Sequence, residues 1–204
     1  MITILNYGLG NLASIANMIK KVGGTAHITG DHNEIEKAKK LLIPGVGHFG
    51  KGMQNLKEAN LIPLLKKKAL EDKIPVLGIC LGMQLLTSHS EEGDVDGLNF
   101  IPAQTKKFDL KDYPQLRVPH MGWTDVKVKS DSKLFSGMTE IPRYYFVHSY
   151  YVSCASDTNS IGKCNYGIEF DCAIANENIM GVQFHPEKSH KFGMRIFENF
   201  IRNF

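Results

Sequence analysis

No stretch of this 204-residue chain approaches the roughly 18 consecutive apolar residues of a membrane-spanning helix, so no membrane partner is expected. Met1-Ile2-Thr3-Ile4-Leu5-Asn6 lacks the basic region, long apolar core and cleavage site of a signal peptide. Cysteine is scarce. Cys80, Cys154, Cys164 and Cys172 form no CxxC pair and no Cys/His cluster with zinc spacing, and the eight histidines are scattered. These absences point to a reducing, cytoplasmic setting with free thiols, and neither a metal nor an organic cofactor is expected. Charge of one sign is also lacking: the net charge is only +3. The run Lys66-Lys67-Lys68 ends an apparent helix and reads as a solvated face, so no nucleic-acid partner is expected. Repeats, low-complexity segments and linkers are missing too, which leaves residues 1–204 as one domain long enough to bury a full core.

The first half of the chain alternates two periodicities. Short apolar runs at Ile2 to Leu5, Ala26 to Thr29, Lys40 to Ile43 and Ile74 to Ile79 read as strands. Asn11 to Val22, Gly52 to Glu58, Leu61 to Glu71 and Leu81 to Ser88 read as helices. Such alternation implies an α/β fold with a mostly parallel central sheet and helices on both faces. The second half is rich in strand-like runs: Gly97 to Phe108, Val118 to Lys129, Arg143 to Cys154, Ile161 to Asn165, Ile168 to Asn176 and Met180 to Phe184. Antiparallel strands are expected there. Ser189 to Phe204 closes as a helix, and its stripe Phe192, Ile196, Phe200 and Phe204 reads as core packing.

Chemistry concentrates in three places. In Gly78-Ile79-Cys80-Leu81-Gly82 a cysteine stands between two glycines where a strand meets a helix. A nucleophile elbow needs small residues two before and two after the nucleophile, because backbone crowds both positions. The helix that follows aims its positive end at the sulfur and favours the reactive thiolate. The alternative is a buried cysteine acting as a small hydrophobe in a Gly-rich turn. In Gly181 to Ser189, His185 and Glu187 are spaced i, i+2, which on an extended chain puts both side chains on one side. Glu187 would hold one ring nitrogen and leave the other for a nucleophile; the alternative is a surface turn. In Leu41 to Gly50 a strand runs into Pro44-Gly45-Val46-Gly47, either an oxyanion-binding loop or an ordinary βα turn.

These three motifs, in this order, resemble the class I (triad-type) glutamine amidotransferases over essentially the whole chain, with a flavodoxin-like fold. The resemblance implies Cys80 as nucleophile, His185 as base and Glu187 as its orienter. It also implies Gly47 and Leu81 as backbone oxyanion donors and L-glutamine as substrate. Gly45, Gln84, and His148, Ser149 and Tyr150 of "YFVHSYY" would be its contacts. "NYGLGNLASI" (Asn6 to Ile15) and "VPHMGW" (Val118 to Trp123) are similar to segments of the glutaminase subunits of imidazole glycerol phosphate synthases. That likeness implies a heterodimer with a (β/α)8-barrel cyclase, met by Asn11, Met121, Trp123 and Lys188. The chain departs from that pattern at Asn6 (usually Asp), at Thr124 (usually Asn) and in the stretch from His190 to Gly193. Other readings are a paralogue supplying ammonia for surface-sugar synthesis, a stand-alone cysteine hydrolase, and a non-catalytic subunit on the same fold.

Overall fold

The computed structural model describes residues 1–129 and 131–204. Its first part runs β1 (Ile2–Leu5), α1 (Leu12–Lys21), β2 (Ala26–Thr29), α2 (His32–Glu36), β3 (Leu41–Ile43), α3 (Phe49–Glu58), α4 (Ile62–Lys66), β4 (Val76–Ile79) and α5 (Leu81–Leu85). The rest runs β5 (His89–Ser90), β6 (Val95–Asp96), β7 (Ala103–Lys107), β8 (His120–Asp125), β9 (Lys127–Val128), β10 (Arg143–His148), β11 (Tyr150–Cys154), β12 (Ser160–Tyr166), β13 (Ile168–Asn176), β14 (Ile179–Val182) and α6 (His190–Arg202).

The main sheet has strand order β2-β1-β3-β4-β14-β13-β11-β7-β5-β6, with β12 and β9 branching from β13. From β2 to β14 the pairing is parallel. With β14 as fifth strand this is the flavodoxin-like order. Every residue of β1, β3, β4 and β14 is buried, because helices cover both faces. Two apolar clusters mark those faces. Ile2, Ile4, Leu77 and Ile79 pack with Ile15 and Ile19 of α1 and Ile196, Phe197 and Phe200 of α6. Leu5, Leu41, Ile43 and Val76 pack with Leu56 of α3, Leu65 of α4 and Leu81 of α5. Beyond β14 the strands turn antiparallel, except that β5 joins β7 in parallel. No helix among the described residues is long and apolar enough to cross a membrane.

Several elements differ from the sequence reading. Arg143 to Cys154 is two strands, not one. The chain leaves a separate two-stranded ribbon (β8 with β10) at His148 and enters the main sheet at Tyr150. α5 stops at Leu85, where the Thr87 hydroxyl donates to the Gln84 carbonyl at 2.8 Å and tightens the last turn. Gly97 to Phe108 is strand only over β7, and α4 continues as a π-helical turn over Lys67–Glu71. Helix α2 carries no periodic stripe long enough to read; its cap is Asp31, which accepts from the Glu34 N–H. β5 and β6, two residues each, are likewise too short to show a period.

The elbow glycines are obligatory. A Cβ on Gly82 would lie 1.8 Å from the Ile43 carbonyl oxygen, and one on Gly78 would lie 2.6 Å from the Gly82 carbonyl oxygen. Both obstacles are backbone and cannot rotate away. Gly82→Ala is expected to destabilise the fold by more than about 3 kcal/mol, seen as a lowered urea midpoint or loss of soluble protein. An unchanged midpoint would contradict the close approach of α5 to β3.

Candidate active site

Three adjacent parallel strands deliver the sequence-distant motifs to one cleft. The loop after β3 carries Pro44 to Gly47, the turn after β4 carries Cys80, and the chain after β14 carries His185. This is the carboxyl edge of the parallel strands, where open α/β sheets bind ligands. Cys80 sits at φ +55°, ψ −113°, a strained conformation for any residue with a Cβ. The turn persists because the Cys80 N–H donates to the Val182 carbonyl at 2.8 Å, tying it to β14.

His185 and Glu187 meet by a route other than the expected one. Pro186–Lys188 is a 3-10 turn, so the pair does not lie along an extended chain. His185 caps that turn, and Glu187, one step inside, folds back until its Oε1 is 2.8 Å from His185 Nδ1. Both side chains are almost completely buried. His185 Nε2 is sealed from solvent and makes no hydrogen bond to any described residue. Burial disfavours the imidazolium, but the neighbouring Cys80 side chain and then Glu187 outweigh it, and the imidazole pKa is pushed up to about 10. The raised imidazole thus lies beside the sulfur.

A cavity of about 240 Å³ opens on Cys80, lined by Gln84, Gly47, His148, Ser149 and Tyr150 among others. Those expected contacts therefore come together. Gly47 lies at φ +122°, where only glycine is unstrained. Gly45 does not line the cavity; it is a packing glycine, since a Cβ there would meet Leu81 Cβ and Tyr7 Oη at 2.8 Å. Leu81 is buried in the first turn of α5, with its backbone next to Cys80. A larger recess of about 700 Å³, lined by Lys129, Lys133 and Phe204, holds none of the motif residues.

Sequence reasoning missed four supports of the cleft. Glu92 is the one carboxylate among the described residues lining the cavity, and it also accepts the Phe49 N–H at 2.7 Å, at the start of α3. Its loop carries no pattern beyond its charge. Tyr7, inside the N-terminal motif, donates its hydroxyl to the Pro44 carbonyl at 2.6 Å and steadies the loop after β3. Gln183 lies wholly buried two residues before His185. His120 sits behind His148 on the ribbon, with His120 Nδ1 and His148 Nε2 3.0 Å apart. His148 Nδ1 meets the Tyr150 carbonyl at 2.7 Å, and His120 Nε2 meets the Thr124 hydroxyl at 2.9 Å. Burial holds both rings neutral, His148 down to about 3 and His120 down to about 4.

The ribbon has two faces because strand side chains alternate. His120 and Thr124 point inward. Met121 and Trp123 point out, 60% and 43% exposed. Trp123 thus lies in a strand, within the strand-like run Val118 to Lys129, and it is exposed because one face of a two-stranded ribbon is open. Its ring stacks on His190 at 5.2 Å and meets Tyr145 edge-on. Lys188 reaches over the Tyr145 ring at 5.6 Å. Asn11 is exposed and caps α1 by accepting the Ser14 N–H.

The class-I glutamine amidotransferase family model matches residues 3–204, and the chain belongs to that family. Within it, the chain is 54% identical over 202 residues to the imidazole glycerol phosphate synthase subunit HisH 2 of Methanococcus maripaludis, covering 99% of each. It is 44% identical to the protein of that name from Pseudomonas aeruginosa, covering 98% of each. It is 46% identical to the imidazole glycerol phosphate synthase subunit HisH of Sulfurimonas denitrificans, covering 99% of this chain and 98% of that one. The solved structure of PurLQS from Thermotoga maritima shares the fold, with a TM-score of 0.76 at 16% identity over 99% of this chain and 97% of the other.

Proposed function

We propose that this chain is the glutaminase subunit of an imidazole glycerol phosphate synthase, acting as one cytoplasmic domain in a heterodimer. The observation that carries the reading is the buried His185–Glu187 pair, whose free ring nitrogen is left to Cys80. The identity with the HisH relatives supports the same assignment.

Cys80 thiolate attacks the side-chain carbonyl of glutamine. Backbone N–H groups of Gly47 and Leu81 receive the oxyanion; loss of one such donor in other enzymes costs roughly 3–4 kcal/mol. His185 protonates the departing nitrogen, releases ammonia, then activates the water that cleaves the γ-glutamyl thioester. Gln84, Ser149, Tyr150 and the loop at Val46 and Gly47 hold the substrate, with His148 supporting their wall. Glu92 adds what the sequence reading lacked, a counter-charge for the α-ammonium group. No step calls for a metal or an organic cofactor.

Ammonia released to water becomes ammonium and ceases to be a nucleophile, so a capping partner retains the product. A (β/α)8-barrel cyclase docked on Met121, Trp123 and Lys188, with Asn11 beside them, would receive it. The cyclase would form imidazole glycerol phosphate and an aminoimidazole carboxamide ribotide. Two of the three relatives carry the number 2 in their names, so a paralogue is kept as the second reading, one supplying ammonia for surface-sugar synthesis. Complementation of a histidine auxotroph lacking its glutaminase subunit decides between them: growth without histidine supports the first, and failure by a soluble, glutamine-hydrolysing chain supports the second.

The partner face makes its own prediction. As the only tryptophan, Trp123 reports alone, and its fluorescence is expected to change when the cyclase is added. Trp123→Ala should weaken association by about 2 kcal/mol, the scale of an aromatic hot spot, while leaving the melting temperature of the free chain nearly unchanged. A silent Trp123 would remove the ribbon from the interface.

A further inference from the structure

A hydrogen-bond chain through the cleft has a direction that donor and acceptor chemistry fixes. The Tyr150 carbonyl can only accept. It takes His148 Nδ1–H at 2.7 Å and one N–H of Gln84 at 3.1 Å. A neutral imidazole has one N–H, so His148 Nε2 is an acceptor and His120 Nδ1 must donate to it. His120 Nε2 then accepts from the Thr124 hydroxyl. On the other side of Tyr150, the second N–H of Gln84 donates to Gln183 Oε1 at 2.9 Å. That contact orients the Gln183 amide: with its oxygen held, its nitrogen faces Cys80 Sγ at 3.7 Å. The Gln183 side chain is wholly enclosed and cannot turn to water.

We propose that Gln183 is a catalytic residue, donating an amide N–H to Cys80 Sγ and holding the sulfur as an aimed thiolate. The proposal rests on Cys80 being the nucleophile. The Val147 carbonyl, 4.0 Å from the sulfur, accepts from the Cys80 S–H. Gln183 opposes this with a donor that never titrates. In the attack the S–C bond forms and the carbonyl π pair moves to oxygen. When the C–N bond breaks, the proton on the departing nitrogen comes from His185. The Gln183 N–H stays on Gln183 throughout. When water cleaves the thioester, the same N–H meets the sulfur as it leaves with its electron pair. His185 acts as the base toward water at that step and regains a proton only as the water attacks, so Gln183 supplies the donor that is in place throughout.

The test compares Gln183→Met, which keeps length and loses the donor, with Gln183→Glu, which keeps an acceptor for Gln84 but places a carboxylate against the sulfur. Three quantities are read. They are the alkylation rate of Cys80 by iodoacetamide at fixed pH, kcat and KM for glutamine with the cyclase present, and the melting temperature. Gln183→Met is expected to slow alkylation and lower kcat about tenfold, the worth of one hydrogen bond to a charged group, with KM within about twofold. Gln183→Glu is expected to slow both further. If both variants melt near the parent and alkylate at its rate, or if only KM rises, the proposal is overturned and Gln183 is a packing residue. If Gln183→Met does not fold, the isosteric Gln183→Glu decides alone, by the same alkylation rate. Cys80→Ser serves as the control: labelling that survives it refutes the nucleophile assignment itself, an outcome distinct from an unresponsive Gln183.

Discussion

Cys80→Ser is expected to abolish glutamine hydrolysis, by about a thousandfold or more, while the assembled complex still turns over with external ammonia. Serine fits the elbow, since the strained turn depends on the size of Gly78 and Gly82 and not on sulfur. Its hydroxyl, however, stays protonated where a thiol ionises, and His185 loses the neighbour that does most to raise its pKa. The fold should hold, with stability within about 1 kcal/mol of the parent. The remaining cysteines are not substitutes. Cys154 and Cys172 lie on strands of the main sheet, and burial first, then nearby groups including the Asp171 carboxylate, pushes both thiols up. Cys164 is enclosed in the same sheet. A glutamine-like electrophile should therefore label the parent once, at Cys80, and leave Cys80→Ser unlabelled. Labelling of the variant, or loss of ammonia-dependent turnover with the fold intact, would overturn the assignment.

The second large effect is on stability against acid. An unfolded histidine titrates near 6.5, whereas burial holds folded His148 down to about 3 and folded His120 down to about 4. Between those values the unfolded chain binds more protons than the folded one. Stability therefore falls as pH falls, starting near 6.5. At 1.36 kcal/mol per unit, the loss by pH 4 is of the order of 3 kcal/mol per ring. His185 acts in the other direction: its contribution is complete below 6.5 and is lost as pH rises through about 10. Exposed carboxylates held low by lysines, such as Asp72 and Asp157, add their own loss, but only below their unfolded values near 4. The window from 6.5 to 4.5 thus belongs to the buried histidines. Urea midpoints at pH 7, 5.5 and 4.5 should fall steadily. His120→Phe, whose ring can keep the stacking on Phe146 and Tyr166, should roughly halve the slope. A flat profile between pH 7 and 5 would show that the two rings are not buried neutral.

Local sequence determined the parts whose physics is local. The short apolar run Ile74 to Ile79, broken only by Pro75 and Gly78, reads as a strand covered on both sides, and glycines two before and two after Cys80 announce backbone contact there. The 3.6-residue spacing of Leu12, Ile15, Ala16 and Ile19 announces α1, and the packing stripe of α6 is equally plain. Cys80, His185 and Glu187 were legible because each sits in a short motif. Their meeting was implied only by the resemblance, since it depends on β14 entering the sheet beside β4 after the chain has built a second, antiparallel half. Tertiary structure alone decided that Arg143 to Cys154 breaks between two sheets, because both halves have the same period-two pattern. It alone turned Glu187 back onto His185 through a 3-10 turn, moved Gly45 from the cavity into the packing, and brought Glu92 into the cleft. The same holds for Gln183 and His120. A buried polar side chain is defined by its partners, and those partners stand on strands distant in sequence that become neighbours only when the sheet is assembled.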